Sequence, residues 1–250
     1  MHLRITLEQR IFLRSLCWQA SWNFGRMQNM GLAYAIYPLL QQRYDRQRQQ
    51  LCKALSAYLG FFNTNPVMAA AVLGILVHLE KRGEGQHGML IARNLNSLYG
   101  AVGDAFFWNG LKPAMALLAV IIYFAGGGFW APLLLLAGYN AVHLGIRYTI
   151  YTLGVHHGLE VINTIHYWRL PKVKLVMSYG IVIMMAAIIP LMFSTLQPVP
   201  GCPISFFLLL IGGIYLCSHL LARGIALPKL FYGSSLFVAS VIIGYRYWFF

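Results

Sequence analysis

PAMALLAVIIYFAGGGFWAPLLLLAGYNAVHLG, from Pro113 to Gly145, runs for 33 residues without an Asp, Glu, Lys or Arg. About 20 apolar residues are enough to cross a hydrocarbon core about 30 Å thick, so this stretch places the chain in a bilayer. Gly126-Gly127-Gly128 divides it, with 13 residues before the glycines and 17 after. Each half is short for a crossing. The stretch is therefore either one long crossing with a break or a hairpin that enters and returns.

The rest of the chain agrees with that solvent. Hydrophobic residues make up 59% of the 250 and charged residues 10%, against roughly 45–50% and roughly 25% in a soluble domain. The net charge is +13. A nucleic-acid binder would gather such charge beside a polar surface, whereas here it lies away from the apolar blocks. Eight of the 19 basic residues fall in the first 53, while Ile204 to Phe250 holds only Arg223, Lys229 and Arg246. Positive charge kept on the cytoplasmic side produces such a gradient and predicts a cytoplasmic N-terminus. Met1 to Arg14 has no continuous apolar core. It spaces Leu3, Leu7, Ile11 and Phe12 as an amphipathic surface helix rather than as a signal peptide. Cys17, Cys52, Cys202 and Cys217 form no close pair and read as apolar filler.

Three C-terminal segments are long enough to span: Val173 to Leu196, Ile204 to Ala222 and Pro228 to Phe250. The uncharged turn QPVPGCP and the aromatic end around Trp248 are expected outside, opposite Arg169, Lys172, Lys174, Arg223 and Lys229. Met30 to Leu40 and Pro66 to Leu79 are only 11 and 14 residues long, the length of re-entrant or protein-buried helices. Gln41 to Lys53 is polar and cytoplasmic. Glu80 to Arg93, with Gly83, Gly85 and Gly88, reads as a flexible cytoplasmic loop. The predicted architecture is an all-α integral membrane protein in three parts. Residues 1–60 form a cytoplasmic or interfacial helical region, 61–168 carry short and broken membrane helices, and 169–250 form three transmembrane helices.

FFNTNPVMAAAVLGI (Phe61 to Ile75) and FFWNGLKPAMALLAVI (Phe106 to Ile121) both run from Phe-Phe to Pro-x-Met-Ala at the start of an apolar stretch, which suggests an internal repeat. Transporters built from repeated halves place substrate between such short, interrupted segments. Asp104 stands between apolar stretches, where a carboxylate marks either function or a helix cap. Asn63, Thr64 and Asn65 precede Pro66, and Gln28 and Asn29 precede the apolar run from Met30. Amides donate and accept, as a polyhydroxylated ligand requires, and Asn before Pro is equally a standard helix start. His156, His157, Glu160 and His166 lack a third ligand on one face, so a solvated helix is expected there rather than a metal site. His78, His143 and His219 read as packing residues. No phosphate-cradling glycine loop or nucleophile elbow occurs, and neither catalytic residue nor cofactor nor metal is expected.

Gln19-Ala20-Ser21-Trp22-Asn23-Phe24 followed by Arg26-Met27-Gln28-Asn29 resembles the Q-x-S-W-N-Y/F-E-R-M-Q-N signature of the D component (IID) of the mannose/fructose/sorbose-family sugar phosphotransferase system. Phe61 to Pro66 is similar to its F-F-N-T-N/H-P element, and Gly100 to Trp108 to its G-x-x-G-D-x-x-F-W stretch, with Lys112-Pro113 in place of Arg-Pro. The resemblance covers about residues 15–120. It implies a bacterial inner-membrane, multi-pass subunit that works with a C component to bind and translocate a hexose-type sugar. Soluble A and B components relay phosphate, and the B component phosphorylates the sugar. Residues and resemblance together give Gln28, Asn29, Asn63, Thr64, Asn65, Asp104 and Trp108 as the expected sugar-binding set. The chain departs from the pattern at Gly25, where the family has glutamate, at Tyr58, where it has histidine, and at Ser97-Leu98-Tyr99, where it has Met-Gly-Pro-Leu. Such departures fit a transporter with altered sugar choice. They also fit a paralogue that has lost transport and serves as a membrane anchor or regulatory subunit. An ion-coupled secondary transporter, a third class, would have Asp104 as its one candidate acid.

Overall fold

The computed structural model describes residues 5–195 together with Gly212, Leu216, His219, Leu220 and Arg223. The chain divides into two compact units, Met1–Thr195 and Leu196–Phe250. The expectations for Pro228 to Phe250, QPVPGCP, Cys202 and Trp248, and for most of Ile204 to Ala222, lie outside the described residues.

Among the described residues the first unit is all-helical. Its helices are α1 (Leu7–Ser15), α2 (Asn29–Arg43), α3 (Arg48–Ala57), α4 (Ala69–Arg82), α5 (Gly85–Gly103), α6 (Lys112–Ile122), α7 (Trp130–His157), α8 (Val161–Tyr167) and α9 (Leu170–Thr195). Helix α1 begins where the sequence supplies a capping box: Thr6 accepts from the Gln9 N–H, and the Gln9 side chain accepts from the Thr6 N–H. Its apolar side turns onto the protein itself. Ile11 is fully buried, and Phe12 packs on Tyr148 and Tyr151 of α7 at ring separations of 5.1 and 5.4 Å. Arg147 of α7, itself buried, donates to the Ser15 carbonyl and so holds the electronegative end of α1.

From Ala69 to Val77 helix α4 is apolar all round, the pattern of a helix with no wet face, and these residues are buried without exception. Its alanines and Gly74 let α7 approach at backbone distance. A Cβ on Gly74 would sit 2.5 Å from the Tyr151 carbonyl oxygen, and one on Gly154 would sit 3.0 Å from that of Ala71. Small residues at a crossing are the usual means of packing helices where no water drives them together. Met30 to Leu40, likewise, lies within the mostly buried α2.

The Glu80 to Arg93 stretch is not a flexible loop. Helix α4 continues to Arg82, Gly83 turns at φ 87°, and α5 starts at Gly85. Only Gly83 serves the turn. Gly85 is small because the Glu80 side chain presses against its backbone, and Gly88 because Leu76 does. Glu80 is buried. It pairs with Arg43 at 3.2 Å and accepts from the Tyr58 hydroxyl at 2.6 Å, so the phenol ties the end of α3 to α4. Burial, and then the Glu80 charge, push the Tyr58 phenol far above its ordinary range.

The glycine break at residues 126–128 makes a hairpin. Gly126 and Gly128 take φ of 90° and 46°, and α7 folds back along α6 so that Met115 fills the space beside Gly138. Ahead of the hairpin, α5, a π-helical segment (Asp104–Leu111), α6 and a second π-helical segment (Tyr123–Gly127) form one helical run from Gly85 to Gly127. This run and a second, from Trp130 to Ile188, are long and apolar enough to cross a membrane. Pro113 accounts for the first π segment. It has no N–H to give and its ring crowds the carbonyl four residues back, so the helix widens, and the Lys112 N–H reaches Phe107 instead.

Candidate functional site

The site is built on the loop that leads into α4. Met27 takes a left-handed φ of 57°, which lets its backbone pair with Asn23 on one side and Phe62 on the other. The Gln28 N–H donates to the Phe62 carbonyl at 2.8 Å. Gln28 Oε1 accepts from Trp18 Nε1 at 3.0 Å and from the Thr64 N–H at 3.2 Å, and Gln28 Nε2 donates to the Thr64 carbonyl at 2.9 Å. Asn29 Oδ1 accepts from Asn23 at 2.9 Å, and its Nδ2 donates to the Leu59 carbonyl at 2.8 Å. Both amides are 3% exposed. The structure therefore places Gln28 and Asn29 as interior struts that fix the course of residues 59–64. Trp18 and Asn23 complete the frame, and no spacing in the sequence connects them to Thr64.

At the end of this loop Asn65 closes the turn into α4. Its Oδ1 accepts from the Val67 N–H at 3.0 Å, and its carbonyl accepts from the Ala69 N–H at 2.8 Å. The other end of the same amide reaches across the fold, donating from Nδ2 to Asp104 Oδ1 at 2.9 Å. This approach is open because residue 103 is glycine: a Cβ there would lie 2.5 Å from Asn65 Cγ and 2.7 Å from Met68 Cγ. Asp104 does not begin a helix. Gly103 and Asp104 have helical backbone angles, and the run continues from α5 into the π segment. The carboxylate is exposed and partnered by Asn65, 39 residues earlier in the chain.

Four and eight residues beyond Asp104 come Trp108 and Lys112, and the Lys112 ammonium lies 4.8 Å from the centre of the Trp108 ring. Trp108 is 44% exposed. An acid, an aromatic face and a base thus stand at successive turns of one helical run, with exposed Asn63 two residues from Asn65 on the adjoining loop. Aromatic faces and paired hydrogen-bonding groups suit a ligand with apolar C–H faces and hydroxyl edges. Of the expected set, Asn65 and Asp104 are in direct contact, Trp108 and Asn63 are exposed on the same two segments, and Gln28, Asn29 and Thr64 lie beneath. Lys112 belongs with them by its contact, although the sequence marked it only as part of a motif.

The histidines of α4, α7 and α8 lie outside this set. His156, His157 and His166 are exposed, His78 Nδ1 is 3.0 Å from the Val155 carbonyl oxygen, and His143 stacks on Tyr139 at 5.5 Å. Among the described residues no group of three or more His, Cys, Asp or Glu is placed to hold a metal ion.

Fold and site together define a helical membrane protein with a polar surface set on a wide-wound helix. Residues 5–199 match the family model described as the PTS system mannose/fructose/sorbose family IID component, and the chain belongs to that family. It is 33% identical over 159 residues to the mannose-specific EIID component of Escherichia coli K12, an alignment covering 61% of this chain and 56% of that protein. Identity to the fructose permease IID component of Bacillus subtilis is 30% over 168 residues, covering 65% and 60%. The sorbose-specific EIID component of Klebsiella pneumoniae is 31% identical over 159 residues, covering 61% and 57%. The chain spans a little over half the length of these curated relatives. Among solved structures, one described as a membrane protein matches with a TM-score of 0.70 at 25% identity, covering 98% of each chain. Another, the mannose transporter ManYZ in complex with microcin E492, matches with a TM-score of 0.59 at 25% identity, covering 98% of this chain and 97% of that one.

Proposed function

We propose that the chain is the membrane subunit that, together with a C component, binds a hexose-type sugar and passes it across the bacterial inner membrane to a phosphorylating B component, with a soluble A component upstream. The observation that carries this reading is the 2.9 Å hydrogen bond by which buried Asn65 holds the exposed Asp104. A carboxylate kept at the start of a π-wound turn, steered by an amide from a different element, is placed to accept hydrogen bonds from sugar hydroxyls. Trp108 offers a ring for the sugar's C–H face. Gln28, Asn29 and Thr64 hold the loop in register, buried Asn65 orients Asp104, and exposed Asn63 meets the ligand. This chain performs no bond-making step in this reading; phosphoryl transfer belongs to the partners.

Membrane insertion follows from the same features. The N-terminus lies on the cytoplasmic side with the basic residues of the first 53. Exposed Leu133, Leu136, Val176, Val182 and Ile183 face lipid or the C component. Cys52 is exposed on α3. In a chain carrying Cys52 as its one cysteine, a membrane-impermeant thiol reagent should label spheroplasts only after permeabilisation, and labelling of intact ones would reverse the orientation.

The test of the function is phosphoenolpyruvate-dependent uptake of mannose, fructose and sorbose by membranes containing this chain and its C partner, with and without the soluble components. Uptake that requires all of them supports the reading. Absence of uptake of any of the three, with the complex assembled, would favour an anchor or regulatory subunit.

A further inference from the structure

The seam between the 60–65 loop and α5 holds three polar atoms that the sugar surface does not use. Thr64, Asn96 and Tyr99 are 5%, 7% and 2% exposed, and Thr64 Oγ1, Asn96 Oδ1 and Tyr99 Oη have no hydrogen-bond partner in the protein. A buried donor or acceptor left unsatisfied costs free energy that native structures rarely tolerate. Among the described residues the other two such atoms are His143 Nδ1 and Arg147 Nε on α7. Arg147 already serves the end of α1, and His143 lies among rings.

The three residues lie along one strip of structure. Asn96, Tyr99, Gly100 and Gly103 follow the i, i+3, i+4, i+7 spacing of a single face of α5. The loop runs along that face in register: the Arg93 guanidinium lies 3.1 Å from where a Gly60 Cβ would be, and a Gly100 Cβ would lie 3.9 Å from Thr64 Oγ1. Gly103 meets Asn65 at the far end. Asn96 falls between Arg93 and Gly100, opposite the middle of the loop. The seam is therefore directly behind Asn65, the residue that holds Asp104.

Two hydroxyls that can each donate and accept, with an amide oxygen that accepts on the same strip, are the groups that the hydroxyl edge of a polyol requires. We infer that Thr64 Oγ1, Asn96 Oδ1 and Tyr99 Oη form an inner subsite that takes hydroxyl groups of the sugar and sets which hexose is preferred. The inference rests on the sugar-handling reading above. The sugar enters past Asn65, whose amide exchanges Asp104 for a sugar hydroxyl, and two of its oxygens then satisfy the buried groups.

The test uses the full chain copurified with its C partner. Binding of mannose, fructose and sorbose is measured for the wild type and for Tyr99→Phe, Asn96→Leu and Asp104→Asn, each with a thermal midpoint. Removing an unsatisfied buried hydroxyl should leave the Tyr99→Phe midpoint unchanged or raise it. Its affinity for at least one of the three sugars should fall roughly three- to tenfold, the worth of one hydrogen bond, and the order of preference should change. Asn96→Leu should shift preference in the same sense. If Tyr99→Phe and Asn96→Leu keep all three affinities within twofold while Asp104→Asn weakens them, the inner subsite is overturned and the sugar surface stands. Affinity lost together with the thermal midpoint in Tyr99→Phe would make the hydroxyl structural and overturn the inference. Failure of the wild type to bind any of the three removes both readings.

Discussion

The two Phe-Phe…Pro-x-Met-Ala stretches share a pattern of letters and almost nothing in their surroundings. In the first, Pro66 stands in the turn that leads into α4, Asn65 closes that turn, and Ala69 to Val77 of the helix that follows are sealed inside the protein. In the second, Pro113 lies within a continuous helical run, the turns before it are π-wound, and Ala119 is the one buried residue of α6. Pro66 thus lies in the turn that leads into α4, and Pro113 lies at the junction of the π segment and α6 inside a helical run. A proline's effect depends on whether the preceding chain is already helical. Preceded by an extended loop it starts a helix, and preceded by a helix it widens one. The two stretches nevertheless converge on one point, because Asn65 of the first touches Asp104 just before the second.

The comparison breaks most visibly at its packing. Gly74→Leu, in the sealed helix, drives a side chain into the Tyr151 backbone, which cannot swing aside as a side chain would. A loss of about 3 kcal/mol, enough to abolish a monodisperse complex with the C partner, is expected. Gly145→Leu, on the outer part of α7 with nothing within 4 Å of its Cβ, should leave the complex intact. Equal tolerance at both sites would mean that α4 is not sealed by α7. Next in size, Gln28→Ala strands the Trp18 N–H and both backbone groups of Thr64. It should cost about 2 kcal/mol or more and lower the thermal midpoint along with sugar uptake. Uptake lost at unchanged stability would instead make Gln28 a ligand residue.

Asp104→Asn sharpens the point where the stretches meet. It keeps the shape and one acceptor for Asn65, so stability should move by less than about 1 kcal/mol, while uptake falls severalfold through loss of the carboxylate. Unchanged uptake would reduce Asp104 to a support for Asn65. Pro113→Ala should have the smallest effect on stability, since it restores an N–H within a helix that already exists. Its signature is geometric: as the π segment tightens, Trp108 and Lys112 rotate away from Asp104, and uptake drops modestly with assembly preserved. A π segment that survives the substitution would assign the winding to tertiary packing instead.

Much of this architecture was legible in local sequence. The uncharged 33-residue run, with its triple glycine, fixed membrane residence and the place where the chain turns, because no other residue reaches φ near 90° so easily. The motifs around Gln28, Asn63 and Asp104 located the family. Local composition could not separate a glycine that turns the chain from one that admits a neighbour. Gly83 does the first, while Gly85, Gly88 and Gly103 do the second, and the apparent loop at residues 80–93 is helix for that reason. Nor could it distinguish amides that face a ligand from amides that face the fold. Gln28 and Asn29 became struts because Trp18, Asn23, Leu59 and Thr64 come within hydrogen-bonding distance only after α2 and the 59–64 loop have packed. Hydrophobic periodicity and cap chemistry act over a few residues, so the sequence determines them directly. A hydrogen bond across 39 residues, such as Asn65 to Asp104, exists only because helix packing brings its ends together, and that is decided by the tertiary structure alone.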